Sequence, residues 1–246
     1  MPWLPRLTGF LLLPIAALAL PGLYAGFLEH GRELFRTPQF WPAALGAVPG
    51  VVVGRWVSRH AAWWCTFEHE LTHAVVGLPF LLIPYRFIVT PNRGGLVKMF
   101  TPPLPLFLLP IPLVGGHIMR LAPYSIPLFA LVACVGGDLA GAWAHPAAFA
   151  AGVGFLAGYH LYTNLHELRG NASPRLFPDA EGNATHGDIA QSGYLLSAAM
   201  IPAMSLASYT VLAILLSRSG WVVILGWVMS VGQTAIALLP ALPLPR

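Results

Sequence analysis

Charged residues are scarce in this sequence. Only 9% of its residues are Asp, Glu, Lys or Arg, whereas 57% are hydrophobic, and the mean hydropathy is +0.69. A soluble domain carries about 25% charged residues. A chain this poor in charge lacks the polar surface that a water-soluble globule needs. The composition therefore predicts an integral membrane protein, with the lipid bilayer as its surroundings.

Lysine and cysteine are also scarce. Lys98 is the only lysine, and the other basic residues are scattered along the chain, so no nucleic-acid-binding face is predicted. The two cysteines, Cys65 and Cys134, both lie in apolar segments. They cannot build a disulfide framework, and we expect them to be reduced packing residues.

Apolar segments dominate what is present, and they predict an all-α polytopic membrane protein. We expect a single integral membrane domain over residues 1–246, with about six or seven transmembrane segments. The first segment imitates a signal peptide, but its apolar stretch exceeds the usual 7–15 residues, so an uncleaved span is favoured over cleavage near Tyr24. The predicted segments are 7–28, 41–57, 61–83, the proline-interrupted pair 102–118 and 121–137, 143–162, 189–216 and 220–240.

Three local patterns refine this outline. Gly46, Gly50 and Gly54 recur at four-residue spacing, which allows another helix to approach closely. Residues 85–100 place β-branched and aromatic side chains on both sides of a Pro-Asn-Arg-Gly-Gly turn. This pattern predicts a short β-hairpin directly after the third apolar segment. The pair 102–118 and 121–137 is expected to form either a bent pair of helices or a re-entrant element.

The most specific motif is His69-Glu70-Leu71-Thr72-His73, inside the third apolar segment. Histidines four residues apart share one face of a helix and can bind one metal ion, while Glu70 lies beside the open position as a general base. A chance occurrence is disfavoured, because an ionisable side chain in such a helix costs about 2.5–3.5 kcal/mol. Glu68 lies on another face and is expected to be a surface charge with an arginine partner.

A catalytic zinc usually has three protein ligands and one water, so a third ligand is needed. No acidic residue lies between Glu70 and Asp138. The ligand must therefore come from far along the chain. Asp188 is favoured, because the apolar run 189–202 follows it and would start a membrane helix there. The alternatives are Asp179, His160, Asp138 and Glu167.

These motifs together resemble the site-2 protease family of intramembrane zinc metalloproteases, in particular its small bacterial relatives. The resemblance covers about residues 60–200. It rests on the H-E-x-x-H motif followed by Gly77, the hairpin over 85–100, the proline-containing run 121–127, and the stretches 158–163 and 187–194.

The resemblance implies an aspartate ligand within the pattern N-x-x-P-x-x-x-L-D-G. Here Asn171, Pro174 and Asp179 fit that spacing, but Pro178 and Ala180 replace the Leu and the Gly. Asp179 and Asp188 therefore both stay open as the third ligand. The resemblance also implies bound Zn²⁺ and hydrolysis of peptide bonds in or near membrane-spanning segments of a protein or peptide substrate. It further implies a multi-pass location in a bacterial cytoplasmic (inner) membrane.

A second class of function uses the same histidines. A non-proteolytic membrane protein could bind metal for transport, sensing or as a scaffold, with Glu70 as a ligand or proton carrier. A transporter needs a continuous polar path through several spans, whereas the polar residues of this chain are concentrated in one region. The sequence therefore favours the peptidase.

Overall fold

A computed structural model describes residues 3–90, 94–171, 176–178, 181 and 184–239. The described part is mostly helical. Its helices are α1 (Trp3–Phe35), α2 (Phe40–His60), α3 (Ala62–Gly77), α4 (Pro110–Leu121), α5 (Leu128–Leu139), α6 (Pro146–Asn171), α7 (Asp188–Ser192), α8 (Tyr194–Leu216) and α9 (Trp221–Leu238). Its strands are β1 (Ile83–Thr90), β2 (Gly94–Phe100), β3 (Leu176–Pro178) and β4 (Ala184–His186).

Four helices in the described residues, α1, α2, α8 and α9, are long and apolar enough to cross a membrane. Helices α4 and α5 make a fifth candidate when taken together, bent by 92° at the break between them. This geometry agrees with the bent pair or re-entrant element predicted from their prolines. The chain is therefore a membrane protein with four or five candidate spans in its described part, and the predicted six or seven are not confirmed.

The third predicted segment is shorter than its hydropathy indicates. The sequence predicts a span over 61–83, but α3 has 16 residues and ends at Gly77. A 3₁₀ turn over Leu78–Phe80 follows, and the backbone N–H of Leu82 then donates to the carbonyl of Gly77. Pro79 has no N–H to continue the helix, so the apolar residues after it enter a strand instead.

The predicted hairpin is confirmed as a small antiparallel sheet of β1 and β2. The strands pair from Ile83 opposite Phe100 to Thr90 opposite Gly94, with an irregularity between Pro84 and Arg86. The turn residues 91–93 lie outside the described part of the chain. Both strands pack against α3, so the hairpin covers one side of the motif helix.

Glycines bring α2 and α6 into backbone contact. A Cβ atom on any of four glycines would collide with a backbone carbonyl of the opposite helix, which confirms the predicted close approach. These residues are Gly46 and Gly50 in α2, which meet α6, and Gly154 and Gly158 in α6, which meet α2. The contact fixes the depth at which α6 lies beside α2.

The bend between α4 and α5 is held by hydroxyl groups. The Ser208 hydroxyl of α8 donates to the Ser125 carbonyl at 2.6 Å, and the Ser125 hydroxyl lies 3.3 Å from the Ile201 carbonyl. Unsatisfied backbone groups are costly in an apolar environment, so these bonds allow the chain to bend there. They also fix the 3₁₀ turn Ala122–Tyr124 between α8 and α3.

The α2–α6 contact predicts a strong effect of one methyl group. Gly50→Ala should lower the apparent unfolding temperature in detergent, because overpacking typically costs about 1–3 kcal/mol. The matched control is Gly152→Ala in α6, where a Cβ meets no atom within 4 Å. Thermal unfolding followed by circular dichroism measures both variants. Equal unfolding temperatures for Gly50→Ala and the wild type would contradict the packing described here.

Candidate metal centre

His69 and His73 lie one turn apart in α3, on the face that looks toward the start of α7. Their ring centroids are 4.7 Å apart, and the His73 side chain is 8% exposed. Asp188, the first residue of α7, places Oδ2 3.1 Å from Nε2 of His69 and 3.4 Å from Nε2 of His73. One ligand atom from each of the three residues lies within 4.8 Å of the others, so this group can hold a metal ion.

The outer nitrogen of each imidazole already has a partner. Nδ1 of His73 donates to the carbonyl of Met119 at 2.8 Å, and Nδ1 of His69 donates to Oε2 of Glu167 at 2.7 Å. Each Nε2 then turns inward. Metal-binding histidines are normally held in this way, with the second nitrogen fixed by a carbonyl or a carboxylate.

The donor set fits a shared cation. When each Nδ1 carries the ring proton, each Nε2 presents a lone pair to the same carboxylate oxygen of Asp188. Such an arrangement is favourable only with positive charge between these atoms. A proton can bridge one nitrogen–oxygen pair, whereas a metal ion can bind all three donor atoms at once. Two imidazoles and one carboxylate are a common donor set for catalytic zinc.

The backbone around Asp188 explains how a residue so distant in sequence reaches α3. Helix α7 has only five residues and is followed by Gly193, whose φ of 91° lies in the left-handed region that glycine adopts freely. This residue lets the chain turn between α7 and α8. Burial alone would raise the pKa of the Asp188 carboxyl. When His73 and His69 are protonated instead of metal-bound, their charges and the hydrogen bonds they donate outweigh this effect and hold the pKa of Asp188 well below its usual value.

The other proposed third ligands do not join both histidines in the described residues. His160 pairs with Glu68 instead, Asp138 is exposed at the end of α5, and Glu167 bonds only to the outer nitrogen of His69. Asp179 lies outside the described residues. Metal ligation by Asp188 stays a prediction, but Asp188 is the carboxylate that the fold brings to both imidazoles.

One expectation from the sequence is wrong. Glu68 is not a surface charge with an arginine partner, because its side chain is buried and lies 3.1 Å from Nδ1 of His160. Helix α6 covers this side of α3. One feature of the sequence indicates a polar face on α6. His160 and Glu167 are seven residues apart, so they share a face of that helix. Both of these side chains point at α3, one to Glu68 and one to His69.

Glu70 lies under the hairpin. Its side chain is buried, and a Cβ atom on Gly95 of β2 would collide with the Glu70 side chain. Only a glycine allows the strand to pass this close to the carboxylate. The predicted general base therefore lies directly beneath strand β2.

Comparison with known proteins identifies no relative: no family model, no curated protein and no solved structure matches this chain.

We predict that Asp188→Ala and His69→Ala each remove most bound zinc, because two remaining ligands hold the ion poorly. Matched controls are Asp138→Ala and His145→Ala, which change exposed residues of the same types. Metal analysis of the purified variants gives the zinc content per chain. Full zinc occupancy in Asp188→Ala would show that another residue, such as Asp179, completes the site.

The hydrogen bond between His69 and Glu167 predicts a smaller effect on zinc binding. Glu167→Ala should weaken zinc binding by about 10- to 100-fold, the usual cost of removing a residue that orients a metal-binding histidine. Glu29→Ala, an exposed carboxylate of α1, is the control. Competition with a chelator of known affinity measures the change. An unchanged zinc affinity in Glu167→Ala would mean that the His69–Glu167 hydrogen bond does not support the site.

Proposed function

We propose that this chain is a membrane-embedded zinc metalloendopeptidase of the site-2 protease type. The observation that carries the proposal is the convergence of Asp188 with the H-E-x-x-H histidines, which lie more than a hundred residues earlier. The inward Nε2 atoms, their two outer partners and the nearby Glu70 all support a catalytic metal centre. A purely structural zinc site would instead have four protein ligands and no adjacent base.

His69, His73 and Asp188 would hold the ion. When bound, Zn²⁺ supplies Lewis acidity, which polarises a substrate carbonyl and lowers the pKa of water from 15.7 to about 7. Three protein ligands leave one position open for this chemistry. Zinc is favoured over harder ions because magnesium and calcium prefer all-oxygen sites, whereas this site offers two imidazoles.

Glu70 would move the proton. Its carboxylate accepts a proton from water as the water oxygen attacks the carbonyl carbon of the peptide bond. The same proton then passes from Glu70 to the leaving nitrogen as the carbon–nitrogen bond breaks. Burial beneath β2 holds the Glu70 carboxylate in one place and excludes bulk water from the reaction.

The hairpin suggests how a substrate would be held. A membrane helix protects its own amide bonds, so the segment to be cut must unwind before hydrolysis. An unwound segment in an apolar environment needs hydrogen-bond partners for its backbone. Strand β2 passes over Glu70 and can pair with an extended peptide by β-augmentation, beside the metal centre. The substrate would be a membrane protein or peptide.

The predicted setting belongs to the same proposal. The resemblance to small bacterial relatives implies a bacterial cytoplasmic membrane, and the apolar segments of the sequence predict six or seven transmembrane segments. In that arrangement the short helix α3 lies at membrane depth, packed against α2, α4 and the β1–β2 hairpin.

We predict that Glu70→Gln retains zinc and the fold but loses peptidase activity. The amide is nearly isosteric with the carboxylate and cannot accept the proton, so the rate should fall by at least about 100-fold. The assay incubates zinc-loaded protein in liposomes with a pool of single-span membrane peptides and identifies the products by mass spectrometry. Glu29→Gln is the control and should cleave like the wild type.

Two results would contradict this proposal. Equal cleavage by Glu70→Gln and the wild type would exclude Glu70 as the base. No cleavage by zinc-loaded wild type would exclude the peptidase and leave a non-proteolytic metal-binding membrane protein.

A further inference from the structure

A tyrosine hydroxyl reaches the metal centre from the bend between α4 and α5. The Tyr124 O–H donates to Oδ2 of Asp188 at 3.4 Å, and this oxygen is the one that faces both imidazoles. The Tyr124 ring lies edge-on to the His69 ring, with 5.3 Å between the centroids. The side chain is only 1% exposed, so the phenol belongs to the interior of the site.

Tyr124 is fixed in place by its backbone. The Asn164 side chain of α6 donates a hydrogen bond to the Tyr124 carbonyl, and the next residue, Ser125, is bonded to α8. The 3₁₀ turn that ends at Tyr124 packs directly on α3. A group held this rigidly needs little reorganisation during a reaction, which is the property required of an electrostatic catalyst.

The centre otherwise consists of groups that cannot donate to a developing negative charge. The inner nitrogens of both histidines present lone pairs, and their outer N–H groups point away to Met119 and Glu167. Asp188 and Glu70 are carboxylates and act as acceptors when ionised. Among the side chains described at this centre, the Tyr124 hydroxyl is the neutral donor.

We infer that Tyr124 is a catalytic residue whose hydroxyl donates a hydrogen bond to the substrate carbonyl oxygen as that oxygen becomes negative. The inference rests on the proposed peptidase function. When water attacks the carbonyl carbon, the π electrons of the carbonyl move to its oxygen, and the Tyr124 hydrogen bond strengthens. Collapse of this intermediate re-forms the carbonyl and breaks the carbon–nitrogen bond. Tyr124 keeps its proton throughout, and Glu70 carries the proton that reaches the nitrogen.

The position of the hydroxyl also explains how it becomes available. The Asp188 oxygen that accepts its hydrogen bond is the atom that would bind the metal ion. Metal binding would draw on the electron density of that oxygen and weaken it as an acceptor. A carbonyl oxygen that gains negative charge is then the stronger acceptor for the same O–H group.

Tyr124→Phe tests the inference, with Tyr209→Phe as the matched control, since Tyr209 has a buried hydroxyl without a hydrogen-bond partner among the described residues. Loss of an oxyanion donor lowers kcat by about 100- to 1000-fold, and we expect little change in KM or in zinc affinity. A phosphinic pseudopeptide with the sequence of a cleaved membrane peptide mimics the charged intermediate. In Tyr124→Phe the affinity for this inhibitor should fall by about the same factor as kcat. The affinity for the cleavage products should stay as in the wild type.

Each other outcome has a distinct meaning. Wild-type kcat in Tyr124→Phe would overturn the inference and leave the peptidase intact. A loss of zinc affinity with an unchanged ratio of phosphinic to product binding would overturn it too, because Tyr124 would then only position Asp188. No hydrolysis by wild type would overturn the proposed function and this inference together.

Discussion

The backbone contact between α2 and α6 is the constraint on which the rest of the centre depends. Three of the polar side chains that helix α6 supplies to its neighbours reach the centre: His160 pairs with Glu68, Asn164 with the Tyr124 carbonyl and Glu167 with His69. All three lie at depths set by the glycines that let α6 approach α2. A small shift of α6 along its axis would separate several hydrogen-bonded pairs at once, because interiors are close-packed and cannot deform gradually.

The same contact explains how an apolar chain tolerates so many ionisable groups around one helix. Isolated charges in an apolar interior are very costly, whereas pairing and hydrogen bonding offset much of that cost. Glu68 and His160 are both almost fully buried, and they face each other across the α3–α6 interface. On the adjacent face of α3, the candidate metal ligands and Glu167 form the second polar group. Helix α3 thus carries polar chemistry on two faces, and its neighbours shield both.

The sequence predicts those parts of the site that depend on local spacing. The helical repeat alone puts His69 and His73 on one face. The turn residues and the β-branched and aromatic residues beside them predict the hairpin that the structure confirms. The apolar run after Asp188 favours this residue as the third ligand, although Gly193 separates α7 from α8 within that run.

The parts that the sequence does not predict depend on contacts between distant helices. Periodicity tells which face of α3 Glu68 occupies but not which helix covers that face, so the expected arginine partner is wrong. Tyr124 is likewise one aromatic residue among many until the bend after α4 brings it to the histidines. Helix α3 ends before the predicted boundary of the span because of Pro79. A prediction from hydropathy alone does not take this proline into account.

His69 and Asp188 are 119 residues apart in sequence, and this separation has a consequence for the chain as a whole. An ion bound between them would act as a cross-link between the early and the late part of the protein. A ligand that binds the folded state and not the unfolded state adds RT ln(1 + [L]/Kd) to the stability. The fold would then draw part of its stability from the concentration of free metal in its compartment. Loading of the site and persistence of the protein in the membrane would rise and fall together.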